Sequence, residues 1–506
     1  MYSSFFGLNV ALRALSAYQG ALNVTGHNIA NANTTGYTRQ LANIQATTPL
    51  SVFTLGKEIS LGTGSTLDNI VRARDYYIDR QFRWETSKYE YWAGKENSLK
   101  LIEGLMNEPS EYSLHNDLVL FWNAWSELAK NPQNMGARSV LLERAMTLVD
   151  TFHHIDQQIT DLQNDLDASV AVTVKQINTI AAQIKELNTQ IKRAEVAMDN
   201  PNDLKDRRDA LVDELAKLVP VRVEETMDET FTDRIVGKYK VIIGNENDPA
   251  NVLVDDQTVN FLEDPPQQNT DGFYQVVWQN TGKAVDLGKD MGKLKADLEI
   301  RDEYLPDFRK YFDNIAKGLA KAVNAFHRTG QGLVPMDTGI DFFTEDSGTG
   351  QITAASITVN SDILKNVDKI ATGKIVKDAD GKPTLEVGDS SVALAIAALA
   401  QGWESLKELQ EGAFDAPPVP AASFGDYYGA LIAQMGVDVQ QCERMAEGQS
   451  VLVIHMQNQR ESAFGVSLDE EMANMVKYQK SYGAAARVVT MIDSMLERIL
   501  NMGITR

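Results

Sequence analysis

The chain has 506 residues, with 48 basic and 70 acidic side chains and a formal net charge of −22. That length accommodates roughly three or four domains of ordinary size. The acidity argues against a nucleic-acid-binding protein, because neutralising phosphates requires a basic surface. The longest apolar run, Val392 to Ala400, covers nine residues. This is about half of what spans a bilayer, so we expect no membrane insertion.

The N-terminal thirty residues lack the features of a secretory signal peptide. They alternate apolar and polar side chains and contain no continuous hydrophobic centre. A single cysteine, Cys442, excludes an intrachain disulfide, and no Cys/His cluster has the spacing of a zinc site. Cys442 lies in a helical stretch without a nearby His, so we expect a buried small side chain rather than a nucleophile. Any export must use a route other than a cleaved signal.

Charge is distributed unevenly along the chain. No Asp or Glu precedes Glu58, and Arg13, Arg39 and Lys57 give that segment a charge of +3. Residues 468–506 balance five acids against five bases, so the region between carries −22 minus 3, or −25. One interpretation is chance variation between tails. The other is that the two ends pack against copies of themselves, where like charge would repel, while the acidic middle faces water.

Both ends show the periodicity of amphipathic helices. In the N-terminal segment, apolar residues recur every three or four positions until Gly26 and the polar run Asn31 to Gly36 end the pattern. In the C-terminal segment, Ser467 and Glu470 form a capping-box pattern before a similar stripe. The predicted subunit-packing residues of the two segments are Leu8, Leu12, Leu15, Leu22, Leu468, Met472, Met475, Tyr482, Val489, Ile492 and Leu496.

The segment from Ala137 to Asn200 contains neither Gly nor Pro and keeps a helical apolar period. As one helix it would be roughly 95 Å long, which suits a rod better than a globule. A second helix should follow Pro201, with Asn202 or Asp203 as its N-cap.

Beyond Pro220 the pattern alternates between strands and helices. Short β-prone runs precede a helical region from Met291 to His327 that Pro306 interrupts. Residues 331–390 again resemble strands, with a hairpin turn at Asp378 to Gly381. Helices resume near Ser391 and near Asp426, on either side of a proline-containing loop.

These patterns predict an elongated, mainly α, multi-domain protein with β-rich outer insertions. The N- and C-terminal helices should pair in a coiled-coil-like core, and the long helix should belong to a helical rod domain. The predicted divisions are a terminal core domain (1–45 with 467–506), a helical rod domain (46–220 with 290–330 and 391–466) and one or two β-rich outer domains (221–289 and 331–390).

Motifs for catalysis or ligand binding are missing from the sequence. There is no Gly-rich phosphate loop, no paired-His metalloprotease motif and no serine elbow. The adjacent His153 and His154 point to different faces of a helix and cannot share a metal. Asp378, Asp380 and Gly381 resemble the start of a calcium loop, but the later ligand spacing fails and a solvated hairpin turn fits better. We therefore predict no enzyme, no catalytic residue, no cofactor and no metal site.

Four sequence blocks resemble a known family. Residues 21–40, ALNVTGHNIANANTTGYTRQ, resemble the N-terminal signature of bacterial flagellar axial proteins, namely the rod, hook and hook-associated families. The block from Ser467, SLDEEMANMVKYQKSYGAAARVVTMIDSMLERILNMG, is most similar to hook-associated proteins of the hook–filament junction. Two further blocks resemble the same family, namely residues 202–219, NDLKDRRDALVDELAKLV, and residues 423–440, SFGDYYGALIAQMGVDVQ. The chain departs from the family at Thr35, where a proline commonly precedes the glycine.

The resemblance implies a structural subunit of the flagellum that forms a ring at the tip of the hook. Such a protein is exported unfolded by the flagellar type III apparatus, without a cleaved signal peptide, and is extracellular. Its implied partners are copies of itself, hook protein, hook-associated protein 3 and a cytoplasmic export chaperone that holds the C-terminal helix. Neither nucleic acid nor membrane insertion is implied.

The residues suggest how the tails would work. A single amphipathic helix has nothing to cover its apolar stripe, so we predict that both tails are largely disordered in the isolated subunit and fold when neighbours cover them. The turn after the first helix should be shaped by Asn28, Asn31, Asn33, Gly36 and Tyr37. For Arg39 and Gln40, an inter-subunit polar contact and plain solvent exposure remain open.

Three other functions compete with the junction subunit. The chain could be a different axial subunit, such as hook or rod protein. A β-rich insertion could hydrolyse glycans, which would require two carboxylates at a defined separation in a cleft. A cytoplasmic coiled-coil scaffold is the third, and it predicts ordered terminal helices in the isolated protein.

Overall fold

The computed structural model describes residues 6–504 except 55–56, 107–109, 111–112, 232–233, 246–247, 249, 334–338, 347, 349, 378–382, 385–387 and 402–422. Long helices dominate this part of the chain. The helices are α1 (Phe6–Ala30), α2 (Tyr76–Met106), α3 (Leu114–Lys130), α4 (Met135–Val196), α5 (Asn202–Leu218), α6 (Lys293–Glu299), α7 (Leu305–His327), α8 (Ser361–Lys365), α9 (Ser391–Ala398), α10 (Phe424–Phe464) and α11 (Leu468–Ile504). A π turn (Ile300–Tyr304) joins α6 to α7, and a 3₁₀ turn (Val367–Lys369) follows α8.

The strands form small antiparallel sheets. The strands are β1 (Gln40–Ala46), β2 (Leu50–Thr54), β3 (Lys57–Leu61), β4 (Ser65–Arg72), β5 (Val221–Met227), β6 (Gly237–Ile243), β7 (Val252–Asp255), β8 (Thr258–Val259), β9 (Gln267–Gln268), β10 (Tyr274–Gln275), β11 (Gly330–Gln331), β12 (Phe343–Glu345), β13 (Ile357–Val359), β14 (Gly373–Lys374), β15 (Val376–Lys377) and β16 (Pro383–Thr384). The largest described sheet has the order β5-β6-β7-β8, and the others pair two strands each. The predicted fold class, mainly helical with β-rich insertions, is confirmed.

The long helix α4 connects two hydrophobic cores. Its 62 residues correspond to about 93 Å. From Leu141 to Leu166 its buried side chains join a core that also holds α3, α7, α9 and the start of α10. From Val170 to Ile184 they join a second core with α5 and the β5–β8 sheet. The prediction of one uninterrupted helix in this region is therefore confirmed.

Several local predictions were wrong. The segment from 46 to 72, assigned to the helical rod, forms strands, because the alternation of its side chains suits a half-exposed hairpin. The N-cap of α5 is Pro201, without a side-chain cap, and Asn202 is the first helical residue, with its side-chain amide donating to Gln40 and to the carbonyl oxygen of Ile70. Pro306 lies in the first turn of α7 and does not interrupt the helical path, which widens into the preceding π turn. The hairpin turn at 378–381 lies outside the described residues.

Two buried bases hold the segment from 367 to 372 against the first core. Arg138 is fully buried and donates to the carbonyl oxygens of Pro132 at 3.0 Å and Ile370 at 2.7 Å. Burial lowers the pKa of Arg138 to about 10. His327 Nε2 accepts from the backbone N–H of Ala371 at 2.9 Å, so its Nδ1–H donates to the carbonyl oxygen of Ile340 at 2.7 Å. His327 is thus held in its neutral form.

Acid should destabilise the first core through His327. Burial lowers the pKa of this imidazole to about 4, whereas an unfolded His titrates near about 6.5. Between these two pH values the unfolded chain binds a proton at His327 and the folded chain does not. The free energy of unfolding therefore falls as the pH falls, by about 3 kcal/mol in total. Urea unfolding followed by circular dichroism at pH 7 and pH 4.5 measures this loss.

Carboxylates titrate in the same range, so the variant comparison isolates the histidine. In His327→Gln the difference between the two pH values should be smaller than in the natural protein by roughly 2 kcal/mol. The control is His154→Gln, since His154 is exposed. Equal pH dependence in His327→Gln and His154→Gln would contradict the assignment.

Candidate functional site

The two terminal helices pack against each other, and small side chains set their separation. On one side of α1, an added Cβ at Gly7 would lie 3.2 Å from Ile492 Cδ1 of α11. On another side, an added Cβ at Gly20 would lie 2.7 Å from Leu67 Cδ2 of β4. The buried apolar positions of α1 are Ala11, Ala17, Ala21 and Val24. Alanine and glycine, rather than leucine, therefore allow α11 and the β1–β4 hairpin to approach α1 closely.

The predicted packing residues of the tails are only partly covered within one chain. On α1, Leu8, Leu15 and Leu22 are half-buried, while Leu12 is 47% exposed. On α11, Leu468 and Met472 are exposed. The half-buried members on α11 are Met475, Tyr482, Val489, Ile492 and Leu496. Their role in contacts between subunits stays a prediction.

A second apolar stripe on α11 was missed by the sequence analysis. It lies beside the stripe that faces α1, and its side chains are between 45% and 59% exposed. Its members are Val488, Met491, Met495 and Ile499. Their spacing of three and four residues was visible in the sequence, but a single stripe was assumed. The helix is apolar on two sides, and one of these is uncovered.

The turn that leaves α1 is organised by Asn28. Its amide donates to the carbonyl oxygen of Gln40 at 2.8 Å and to Glu471 Oε2 at 3.2 Å. Its Oδ1 accepts from the hydroxyl of Tyr37 at 2.7 Å and from the N–H of Gln40 at 3.0 Å. These four hydrogen bonds use both the donor and the acceptor groups of the Asn28 side chain, which is 1% exposed. Asn28 therefore joins the first helix, the turn and the C-terminal helix.

Other residues of the predicted turn contribute locally. Asn31 donates to the carbonyl oxygen of His27 at 3.0 Å, which closes the last turn of α1. Gly36 has φ of +81°, where a side chain would be strained. Asn33 is exposed, and the described residues give its side chain no hydrogen bond. Burial and the carboxylates of Asp203 and Asp206 raise the pKa of Tyr37 well above its usual value, so its hydroxyl remains a donor.

Arg39 and Gln40 make polar contacts within the chain, so plain solvent exposure is wrong for both, and a contact between subunits stays a prediction. Arg39 donates to Glu471 Oε1 at 2.8 Å and to Glu470 Oε2 at 2.7 Å at the start of α11. Gln40 is buried and donates to Asp203 Oδ1 on α5 at 2.7 Å. The side chain of Glu470 is thereby drawn toward Arg39, while Ser467 Oγ accepts the N–H of Glu470 at 3.4 Å as the capping pattern predicted. Sequence spacing gave no signal for partners so distant along the chain.

A cluster of buried charges on α5 continues this network into the body. Asp206 accepts from the backbone N–H of Thr38 at 2.9 Å and from Arg72 at 2.8 Å. Asp209, one turn later, accepts from Arg72 at 2.8 Å and lies 3.1 Å from a nitrogen of Arg74. Further members are Asp79, Arg83, Asp213 and Arg460. We call Asn28, Tyr37 to Gln40, Glu470, Glu471 and this charge cluster the tail–body junction.

Asp209 is the centre of the charge cluster. Burial alone would raise the pKa of its carboxyl, but the guanidinium groups of Arg74, Arg83 and Arg72 outweigh burial and hold the pKa far below its usual range. The hydroxyl of Tyr239 donates to the same carboxylate at 3.2 Å. Asp206 behaves differently, because burial raises its pKa despite the bonds from Arg72 and Thr38. Asp209 is therefore the carboxylate that Arg72, Arg74 and Arg83 share.

Neutralising Asp209 should destabilise the body and its contact with the tails. Asp209→Asn keeps the shape of the side chain but leaves Arg72, Arg74 and Arg83 short of a buried counter-charge. Breaking such a cluster by removing one partner costs about 3–5 kcal/mol. Urea unfolding at pH 7 measures the loss. The matched control is Asp199→Asn, an exposed site where we expect a change within about 0.5 kcal/mol.

The described residues offer no alternative site of the kinds considered from sequence. No group of three or more His, Cys, Asp or Glu side chains among them is placed to hold a metal ion. His153 Nε2 lies 2.8 Å from the carbonyl oxygen of Ile357, while His154 is exposed. Cys442 is buried, as predicted, and burial raises the pKa of its thiol. Within the same residues, no helix combines the length and apolarity needed to cross a membrane.

Comparison with known proteins places the chain in a family. Residues 99–343 match the family model described as flagellar hook-associated protein FlgK helical domain. Residues 8–38 match that of flagella basal body rod protein, and residues 457–502 that of the flagellar basal body rod FlgEFG protein C-terminal. The two terminal matches coincide with α1 and α11, the helices that the tail–body junction brings together.

Full-length relatives agree with these matches. Flagellar hook-associated protein 1 of Bacillus subtilis is 31% identical and aligns over 100% of this chain and 99% of its own. The protein of the same name from Escherichia coli is 25% identical over 98% of this chain and 99% of its own. A solved structure of the flagellar hook junction protein FlgK from Burkholderia pseudomallei is similar in fold, with a TM-score of 0.59 and 14% identity over 77% of this chain and 100% of that one. This chain belongs to the flagellar hook-associated protein 1 family.

Proposed function

We propose that this chain is a structural subunit of the bacterial flagellum at the junction between hook and filament. Full-length relatives carrying the name flagellar hook-associated protein 1 support this assignment. The observation that carries the mechanism is the uncovered stripe on α11, from Val488 to Ile499. An apolar surface of this kind on a helix that already packs against α1 favours contact with neighbouring subunits.

The stripe can contribute substantially to assembly. Its four side chains are each about half exposed. Covering them would stabilise the assembled state by about 1 kcal/mol each, or roughly 4 kcal/mol per subunit. The low charge of both tails reduces repulsion between copies. We assign the subunit-packing role to this stripe together with the residues predicted from sequence.

Assembly then proceeds by coupled folding. Fixing the backbone of the 37-residue helix α11 costs about 1–2 kcal/mol per residue, and helical hydrogen bonds and the contact with α1 offset only part of it. In an isolated subunit the tails are largely disordered. In the ring they adopt the paired helices described above, and Arg39, Glu470 and Glu471 join them to α5. The three groups of residues predicted as domains serve as the terminal core, the helical rod and the outer domains of the subunit.

Specific partners and location follow from the same proposal. The subunit forms a ring with its own copies, contacts hook protein on one side and hook-associated protein 3 on the other, and is held before export by a cytoplasmic chaperone on its C-terminal helix. It reaches the outside of the cell through the flagellar export apparatus without a cleaved signal peptide. It acts as a structural component rather than as an enzyme.

Charge on the uncovered stripe should block assembly without unfolding the subunit. Met491 and Met495 are 58% and 53% exposed, so Met491→Asp and Met495→Asp should leave the urea midpoint of the isolated protein unchanged. Incorporation at the hook tip, scored by electron microscopy of labelled protein, should be lost together with motility. Val172→Asp on α4, at a site that is 58% exposed, is the matched control and should assemble. Normal incorporation of the α11 variants would contradict the assignment of the stripe.

Amide hydrogen exchange tests coupled folding. In the isolated subunit, α1 and α11 should exchange within the time expected of unstructured chain, whereas α4 and α7 should be protected, because their side chains fill the two cores. Assembled subunits should show protected tails. Strong protection of both tails in the isolated protein would rule coupled folding out and favour a preformed helical pair.

A further inference from the structure

A cavity of about 300 Å³ lies in the body, and none of the residues that line it belongs to the tail–body junction. Its walls come from α2, α6, the π turn, α7 and α10. Besides Glu299 on α6, three carboxylates line it from separate elements: Glu303 on the π turn, Asp307 on α7 and Asp438 on α10. The cavity brings together acidic side chains that are about 130 residues apart in sequence.

The positive charge inside the cavity is already balanced. Lys95 Nζ donates to Glu299 Oε1 at 2.7 Å, and the hydroxyl of Tyr91 donates to the other oxygen of Glu299 at 2.8 Å. Asp438 accepts only from neutral donors among the described contacts, the amide of Gln434 at 2.9 Å and the hydroxyl of Tyr304 at 3.4 Å. The lining therefore retains a net negative charge that no cation of its own offsets.

Asp307 has one described ion pair, with Lys310 at 2.9 Å. Both side chains are more than two-thirds exposed. Exposed pairs of this kind contribute little, because water screens them and both side chains lose freedom. The pair lies at the rim and leaves the negative character of the cavity largely intact.

Aromatic rings form a second feature of the same cavity. The rings of Tyr304 and Phe308 are nearly parallel, at 16°, with centroids 6.2 Å apart. Tyr311 lines the cavity one turn beyond Phe308. The faces of aromatic rings attract cations, especially where water is partly excluded. Leu431 and Met435, both buried, add an apolar surface suited to an alkyl stem.

The arrangement fits an organic cation better than a metal ion. No three carboxylates among the described residues converge as metal ligands would, so the acidic groups of the cavity are too dispersed for one small ion. An elongated cation can place its charge near one carboxylate and its alkyl part against the rings. A π turn widens the backbone at this wall, and such turns are frequent at functional sites.

We propose that this cavity binds an alkylammonium or alkylguanidinium cation. Asp438 and Glu303 bind the charged end, and Tyr304, Phe308 and Tyr311 pack against it and its stem. The same chemistry is offered by a free polyamine and by a lysine or arginine side chain of a partner protein. This site is independent of the assembly proposed for the tails.

Isothermal titration calorimetry of the full chain at low salt tests the proposal. The probes are spermidine and the peptide acetyl-Gly-Arg-Gly-amide, and acetyl-Gly-Gln-Gly-amide is the neutral control. At least one cation should bind, and Asp438→Asn and Glu303→Gln should each weaken it about tenfold, the effect of losing one charge-assisted bond. Glu229→Gln, an exposed site, makes the same change of net charge elsewhere and should bind as the natural chain does.

The two cations distinguish the source of the ligand. Tighter binding of spermidine favours a free polyamine, and tighter binding of the arginine peptide favours a partner side chain. Unchanged urea midpoints show that the variants fold, and the conservative Asn and Gln replacements preserve hydrogen bonding. The proposal is overturned if neither cation binds at millimolar concentration, if the glutamine peptide binds equally well, or if the cavity variants bind like Glu229→Gln.

Discussion

The balance of charge around Asp209 is the constraint on which the tail–body junction depends. Arg72, Arg74 and Arg83 converge on the buried carboxylate of Asp209. Each arginine also pairs with a second carboxylate, and together these carboxylates offset the energetic cost of removing the arginines from water. The same arginines orient Asp206, which accepts the backbone N–H of Thr38. The position of the chain where it leaves the first helix is thereby fixed by charges that belong to the body.

From this anchor the two ends of the chain are brought together. Thr38 is followed by Arg39, whose guanidinium binds the first turn of the C-terminal helix through Glu470 and Glu471. Asn28 adds a second connection to Glu471. Residues more than four hundred positions apart thus meet beside α5. The direction of both terminal helices relative to the body is set at one place, and beyond it α1 packs against α11 and against β4.

Elements with a regular apolar period were predicted from the sequence, whereas contacts between residues far apart along the chain were not. The helical period of 137–200 predicted α4 because a long Gly- and Pro-free stretch has few alternatives. The strands between 46 and 72 were missed because their alternating side chains, which favour a half-exposed hairpin, follow closely on the helical N-terminal segment and were grouped with the helical rod. On α1 the leucines attracted attention, yet alanine and glycine fill the closest contacts, because close approach requires small side chains. The signature residues were found, but the partners of Arg39 and Gln40 emerge only from the fold.

The continuity of α4 has a mechanical consequence. Because one helix supplies side chains to both hydrophobic cores, a rotation applied to one end reaches the other through an unbroken ladder of backbone hydrogen bonds. The two cores are therefore coupled by one continuous helix, and a load applied to one core is transmitted to the other along it.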